Sequence, residues 1–218
     1  MNSSKLTDNS KFEELEQKFA FLRHAREVDK PLNALENSTY CVIDIETTGL
    51  DPIKSEIIEI AALKIKDNDI KDIYSTLIQP SGTISAEIEK LTGISDALVS
   101  GYPSIKEVLP KFLSFIEGTV LIAHNVDFDV PFIKYWTRMK LEQEITNQTV
   151  CTLKLSRALF PGLRSHRLAS VAEYLKIPTS ILHRALADAE ITFQVWQKMQ
   201  EHLKKRNITT LPDLMKLI

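Results

Sequence analysis

The chain has 218 residues, a formal net charge of −2 and 44% apolar residues, which suits one domain with additions, or at most two small domains, built around a real core. No stretch approaches the roughly 20 uninterrupted apolar residues that a membrane span needs. The polar segment from Met1 to Phe12 lacks the apolar run of a secretory signal, and the two cysteines, Cys41 and Cys151, form no CxxC pair, which speaks against a disulfide framework or a thiolate zinc site. The expectation is a cytoplasmic protein with reduced core cysteines and no membrane partner. A protein that holds nucleic acid by itself usually carries a basic footprint; with a charge of −2, any grip on nucleic acid should be weak and local, or depend on a partner for delivery.

Residues 1–37 read as an N-terminal helical extension. Phe12, Leu15, Phe19 and Leu22 recur at helical spacing among Glu, Gln, Lys and Arg, which predicts one amphipathic helix ending near Pro31, either a brace on the domain or a partner-docking helix. The run Tyr40 to Glu46 predicts a strand, and Thr47 to Pro52 a turn around Gly49. Ile57–Ile65 and Ile70–Gln79 predict two more strands, joined by a hairpin at Lys66-Asp67-Asn68-Asp69. Ser104 and Glu107 fit a capping box, opening a helix that stops at Gly118; Pro110 should bend that helix or mark its true first turn. A short strand over Thr119–Ala123 and a helix over Phe128–Met139 follow, with Phe128, Phe132, Tyr135 and Met139 along one side. A last short strand is expected at Thr149–Thr152 and a small helix at Leu168–Leu175. A long helix over Ala185–Lys205 carries Leu186, Ala189, Phe193, Trp196 and Leu203 as a core stripe. Residues 208–218 close the chain as a helical turn from Thr210. A three-strand meander followed by alternating helix and strand implies an α/β domain over 38–207, a mixed sheet covered by helices.

Three clusters of residues carry chemistry. Asp44 and Glu46 stand two apart on an apolar strand, so they share a face, while Cys41, Ile43 and Ile45 point the other way. Two such carboxylates repel and are costly to desolvate. A divalent cation removes both problems; the plainer alternative is an exposed strand end with chance acidic residues. The segment Ala123-His124-Asn125-Val126-Asp127-Phe128-Asp129 lies between a strand end and a helix start, where α/β folds place ligand sites. Asp127 as a helix cap and Asp129 as a first-turn carboxylate remain alternatives. His183 and Asp188 are five residues apart, about 500° on a helix, so they converge only if His183 lies on the loop before the helix. His24, His166 and His202 read as ordinary surface or core groups. Together, Asp44, Glu46, Asp129, Asp188 and His183 form a set of hard donors without thiolate, which suits Mg²⁺ or Mn²⁺ rather than zinc. Two such ions about 3.5–4 Å apart would clamp the attacking and leaving oxygens of a phosphodiester.

The segments Asp44-Ile45-Glu46-Thr47-Thr48-Gly49-Leu50, His124-Asn125-Val126-Asp127-Phe128-Asp129 and His183-(four residues)-Asp188 resemble the three exonuclease motifs of the DnaQ-like, DEDDh 3′→5′ exonucleases, in the family's order and at its approximate separations. Any one motif alone is weak; three in register are specific. Within that family the chain looks like the proofreading epsilon subunit of bacterial DNA polymerase III and the exonuclease domains built into some bacterial replicative polymerases, whose flavour is also seen in Phe160–Leu168 and Ile208–Leu211. The resemblance covers about residues 38–207 and leaves residues 1–37 unmatched. It implies an RNase H-like fold and hydrolysis of single-stranded DNA 3′ ends to 5′-mononucleotides with two Mg²⁺ or Mn²⁺ ions. Asp44, Glu46 and Asp188 would hold the first metal, Asp44 would bridge to the second, and Asp129 would act on the metals directly or through water. His183 would be the general base, a task an imidazole suits near neutral pH. Thr47, Thr48 and Gly49 would seat the terminal nucleotide, Leu50 and Ile94 would wedge between the last two bases, and His124, Asn125 and Phe128 would line the same pocket. Leu50, Ile94 and Phe128 are equally plausible as core residues. An implied partner is a DNA polymerase catalytic subunit or a sliding clamp, although the long polymerase-binding tail of free-standing proofreading subunits is not obvious in the few residues after Arg206. Competing readings are an RNA 3′-end-trimming relative and a non-catalytic subunit that binds primer ends.

Overall fold

The computed structural model describes residues 34–179 and 183–218, so the expected helix around residues 12–22 lies outside the described residues. Five strands form one sheet in the order β3-β2-β1-β4-β5. The strands are β1 (Tyr40–Thr47), β2 (Ile57–Lys66), β3 (Asp69–Leu77), β4 (Val120–Ala123) and β5 (Thr149–Cys151). The first three make the expected antiparallel meander, and β4 joins parallel to β1 and β5 parallel to β4. The β2–β3 hairpin turns at Asp67 and Asn68, both with positive φ (54° and 62°), the conformation of the two-residue turn that matches strand twist.

The helices are α1 (Ala86–Thr92), α2 (Asp96–Val99), α3 (Ile105–Ile116), α4 (Val126–Leu141), α5 (Thr152–Leu159), α6 (Leu168–Tyr174), α7 (Ala185–Lys205) and α8 (Leu211–Met215). The capping box of α3 is formed: the Ser104 backbone N–H donates to the Glu107 carboxylate at 2.8 Å and the Ser104 hydroxyl at 2.7 Å. Pro110 sits inside α3 on its exposed side and does not mark the helix start. Helix α4 begins two residues earlier than its apolar stripe suggests, because Asn125 occupies the N-cap position. Met139, expected on that stripe, is 59% exposed.

Strand β1 divides the core. Tyr40 and Val42 face one cluster with Trp196, Met199 and Leu203 of α7, and Cys41, Ile43 and Ile45 face another with Phe112 of α3 and Phe132 of α4. Strand β2 is buried on both faces through most of its length. A small third cluster holds Ile58, Leu77, Ile84, Ile94 and Val99 beneath α1 and α2. At the chain's two described ends, Ala34 bridges to Thr210, the Leu35 N–H donates to the Thr209 carbonyl at 2.9 Å, and Leu35, Leu211 and Leu214 share the α7 cluster. Among the described residues no helix is long and apolar enough to cross a membrane.

Candidate active site

The site lies at the carboxyl end of β1. Strand alternation carries the row Tyr40, Val42, Asp44, Glu46 down one face, so the apolar row that meets α7 ends in two carboxylates. Strand β4 runs parallel beside β1 and ends at the same edge, where Ala123 leads through His124 and Asn125 into α4. That helix contributes Asp129 from its first turn, and α7 contributes Asp188 from its own. Asp129 and Asp188 are buried, and Asp44 and Glu46 half-buried.

The expected loop placement of His183 is found: it precedes α7 and is exposed, with φ 63°. A left-handed non-glycine residue costs about 1–3 kcal/mol and persists where its surroundings hold it. Here the His183 backbone N–H donates to Asp188 Oδ2 at 2.9 Å. Ligand atoms of Glu46, His183 and Asp188 all lie within 4.8 Å of one another.

Convergence shows in the proton affinities. Burial raises Asp44 well above an ordinary aspartate, and the neighbouring Asp129, Asp188, Glu46 and Glu59 push it further. Burial first, then Asp188, Glu59 and Asp129, raises Glu46 to about 8, against a lowering by Arg184. Burial raises Asp129 to about 7 although backbone N–H groups of Asp129 and Ile45 oppose it. Asp188 is raised by burial, partly offset by the His183 N–H. Carboxylates crowded in this way take up protons unless a cation replaces them. Asp188 Oδ1 is buried without a hydrogen-bond partner, an orphan that a metal ion would satisfy. The donor set fits a hard divalent cation.

Around this centre, the Thr47 hydroxyl donates to the Gly49 carbonyl at 2.6 Å and Thr48 Oγ1 accepts the Glu56 N–H at 2.9 Å. A Cβ at Gly49 would come within 2.6 Å of Ser55 Oγ, so a larger residue there requires the Ser55 hydroxyl or the turn to move. Leu50 projects from this turn, 86% exposed. Ile94 does not: it is fully buried in the third cluster, and a side chain packed on all sides cannot enter a base stack. Phe128 is half-buried, packed at 5.1 Å against Phe132, and Asn125 is exposed. Both ring nitrogens of His124 are engaged, Nδ1 with Thr152 Oγ1 at 3.0 Å and Nε2 with the His166 carbonyl at 2.8 Å. His124 therefore ties α5 and the loop before α6 to the motif, and His166 holds the same loop through Ser156 at 2.9 Å. Asp127 turns away to Lys154.

Two residues that sequence reasoning passes over stand beside the cluster. Glu59 of β2 is opposite Glu46 in register and only 3% exposed. It takes Arg184 in a fork, with Nη2 to Oε1 at 2.9 Å and Nε to Oε2 at 3.1 Å, and accepts the Ala185 N–H at 3.0 Å. The available signal is a glutamate inside the run Ile57-Ile58-Glu59-Ile60, since a buried carboxylate is rare without a partner.

A family model for exonucleases, RNase_T, matches residues 41–196. The chain belongs to this exonuclease family. It is 41% identical over 169 residues to the DNA polymerase III subunit epsilon of Aquifex aeolicus, covering 78% of this chain and 84% of that one. It is 42% identical over 185 residues to the PolC-type DNA polymerase III of Thermotoga petrophila, of which it spans only 14%. Among solved structures, exonuclease X in complex with 5′-overhanging duplex DNA superposes with a TM-score of 0.61 at 29% identity, over 78% of this chain and 95% of that one. A 3′-exonuclease bound to a histone mRNA stem-loop superposes at 0.71 over 86% of this chain and 72% of that one; at 16% identity it speaks for the shared RNase H-like fold alone.

Proposed function

We propose that this exonuclease works in the 3′→5′ direction on single-stranded DNA ends, releasing 5′-mononucleotides in replication proofreading or repair. The observation that carries this reading is the convergence of Asp44, Glu46, Asp129 and Asp188 at one strand edge, with an orphaned Asp188 oxygen and the imidazole of His183 beside them. These carboxylates would hold two Mg²⁺ or Mn²⁺ ions. When bound, such a pair supplies Lewis-acid stabilisation of the charge that builds on the phosphodiester oxygens. His183, exposed at the mouth of the site, would take the proton of the attacking water as general base. The Thr47–Gly49 turn would seat the terminal nucleotide with its backbone, and Leu50 would pack against the terminal base, an apolar contact indifferent to sequence. His124 would act by orienting the loop before α6 rather than by touching DNA.

The DNA preference rests on the names of the relatives, DNA polymerase III epsilon and PolC, and on the DNA complex of exonuclease X. A polymerase catalytic subunit or sliding clamp in the cytoplasm is the partner this reading favours, since a net charge of −2 gives the chain little hold on DNA by itself. The test is a matched pair of 5′-labelled single-stranded DNA and RNA oligonucleotides incubated with Mn²⁺ or Mg²⁺. A DNA ladder shortening one nucleotide at a time from the 3′ end is expected. Faster turnover of RNA would make the protein an RNA-trimming enzyme, and no turnover of either would leave an end-binding protein.

A further inference from the structure

We infer that the pair formed by buried Glu59 and the half-exposed Arg184 is a positioning device for the reaction: it fixes His183 and the first turn of α7 to the sheet while adding no net charge to the metal pocket. This inference rests on the proposed function above.

The residues between the base and the carboxylate ligand are few. His183 and Asp188 bracket Arg184 and Ala185, and both of these are tied to one carboxylate. The Arg184 guanidinium meets Glu59 through Nε at 3.1 Å and Nη2 at 2.9 Å, and the Ala185 N–H reaches Oε2 at 3.0 Å. Glu59 therefore caps the N-terminus of α7 from the sheet, where a helix end leaves unsatisfied N–H groups and a partial positive charge. The fork fixes the guanidinium plane as well as its distance. His183 needs such a hold, because its left-handed backbone is strained and its side chain is exposed. The described contact at its own backbone is the bond to Asp188, and Asp188 is itself carried on the helix that Glu59 caps.

The charge balance needs the same pair. Glu59 faces Glu46 across the β1–β2 ladder, where opposed side chains are about 4.5–5.5 Å apart at Cβ. Without Arg184 the edge would hold five uncompensated carboxylates: Asp44, Glu46, Glu59, Asp129 and Asp188. With Arg184 in place the charge of Glu59 is neutralised, and the four that remain match two divalent ions.

The experiment uses the full chain, with Glu59→Gln, Arg184→Gln and the double variant compared with wild type. Mn²⁺ binding is measured without DNA by electron paramagnetic resonance, and kcat and KM on a single-stranded DNA oligonucleotide. Glu59→Gln leaves the Arg184 cation unbalanced, so Mn²⁺ affinity should fall about tenfold, the effect of one unit charge roughly 6 Å from a divalent ion even at the dielectric of bulk water. Arg184→Gln leaves the Glu59 anion unbalanced, so Mn²⁺ affinity should hold or rise. Both should lower kcat by about 10–100-fold with KM within about threefold, as misplacement of a reacting group does. In the double variant Mn²⁺ affinity should return to within about threefold of wild type while kcat stays low. A merely structural pair would give both single variants the same metal response, in step with their melting temperatures, and that result overturns the inference, as does Glu59→Gln with kcat and Mn²⁺ affinity within about twofold of wild type. Should Glu59→Gln fail to fold, Arg184→Lys decides, because it keeps the charge and loses the fork; kcat within about twofold of wild type then refutes the positioning role. A wild type that degrades no oligonucleotide would sink the proposed function instead, and the opposite metal responses would still report on the charge balance.

Discussion

The crowded carboxylates make the stability of the metal-free protein depend on pH in an unusual sense. Glu46 rises from an ordinary 4.5 to about 8 and Asp129 from 3.8 to about 7 on folding, burial being the first cause of each. Both hold protons more tightly folded than unfolded, so the stability they contribute is complete below about pH 4 and is lost as pH rises through about 7 to 8. At about 1.36 kcal/mol per pH unit, either group alone corresponds to about 4–5 kcal/mol. They share one pocket and their contributions are not simply additive, so the value of one group, about 4–5 kcal/mol, is the working figure. For a chain of about 200 residues each kcal/mol moves the melting temperature by roughly 2–4 °C, which predicts a fall of about 10 °C between pH 5 and pH 9. Mn²⁺ at a hundredfold excess over Kd restores about 2.7 kcal/mol, or about 5–10 °C, at pH 8.5. At pH 5.5 bound protons compete and the gain should be much smaller. Mg²⁺ should do less, because it sheds its water reluctantly. In Asp44→Ala the metal-free melting temperature at pH 8.5 should rise, since repulsion is relieved, and the Mn²⁺ gain should vanish. Scanning fluorimetry across pH with and without Mn²⁺ measures all of this; equal Mn²⁺ gains in wild type and Asp44→Ala would refute the reasoning.

Replacing Asp44, Glu46 or Asp188 by Ala should abolish hydrolysis while the circular dichroism spectrum is unchanged; a variant that kept a tenth of wild-type turnover would not be a ligand. His183→Ala should lower kcat by roughly 10²–10⁴, and the deficit should shrink at high pH as hydroxide replaces the base, whereas a pH-independent deficit would indicate a positioning role. Gly49→Ala should raise KM by about tenfold, because its Cβ would meet Ser55 Oγ at 2.6 Å and displace the turn that carries Leu50. Adding Ser55→Ala should recover most of that loss, and a double variant no better than Gly49→Ala would show that the contact does not govern the turn.

The elements legible in the sequence are those with a long period or a local chemical signature. Helix α7 can be read at Ala185–Lys205 because its apolar stripe persists over 21 residues, and the hairpin at Asp67-Asn68 because its turn residues accept positive φ. Helices α1, α2 and α5 escape a reading by pattern. They have 7, 4 and 8 residues, lengths at which an apolar period is a weak guide, although α6 and α8, with 7 and 5, are just as short and are expected from the sequence; the signals that α1 and α2 do carry are the serine caps Ser85 and Ser95, each accepting a backbone N–H. The catalytic candidates are legible because each motif is local. Of the two readings the sequence leaves open for Ile94, the core one holds, and the sequence does not decide because an apolar residue in a loop reads alike whether it faces solvent or, as here, the small cluster beneath α1 and α2. Glu59 and Arg184 are hidden for a different reason: they are 125 residues apart, and only the sheet brings them together.

The near-neutral net charge also means something different once the site is known. The chain carries 27 basic and 29 acidic residues. Setting aside Asp44, Glu46, Asp129 and Asp188, whose charge would be matched by two divalent ions, leaves 27 basic against 25 acidic residues, a small positive excess. Above about pH 8, where Glu46 and Asp129 have lost their protons, the metal-free chain would repel a polyanion where the loaded chain would attract one; nearer neutral pH bound protons already cancel part of that charge, and the change is concentrated at the strand edge that carries the proposed site. Long-range attraction of this size remains weak at physiological salt, where exposed charges are screened beyond about 8 Å. The ions would therefore govern affinity as well as chemistry, and they would do so at the end of a strand rather than along it, which is what a protein that trims ends requires.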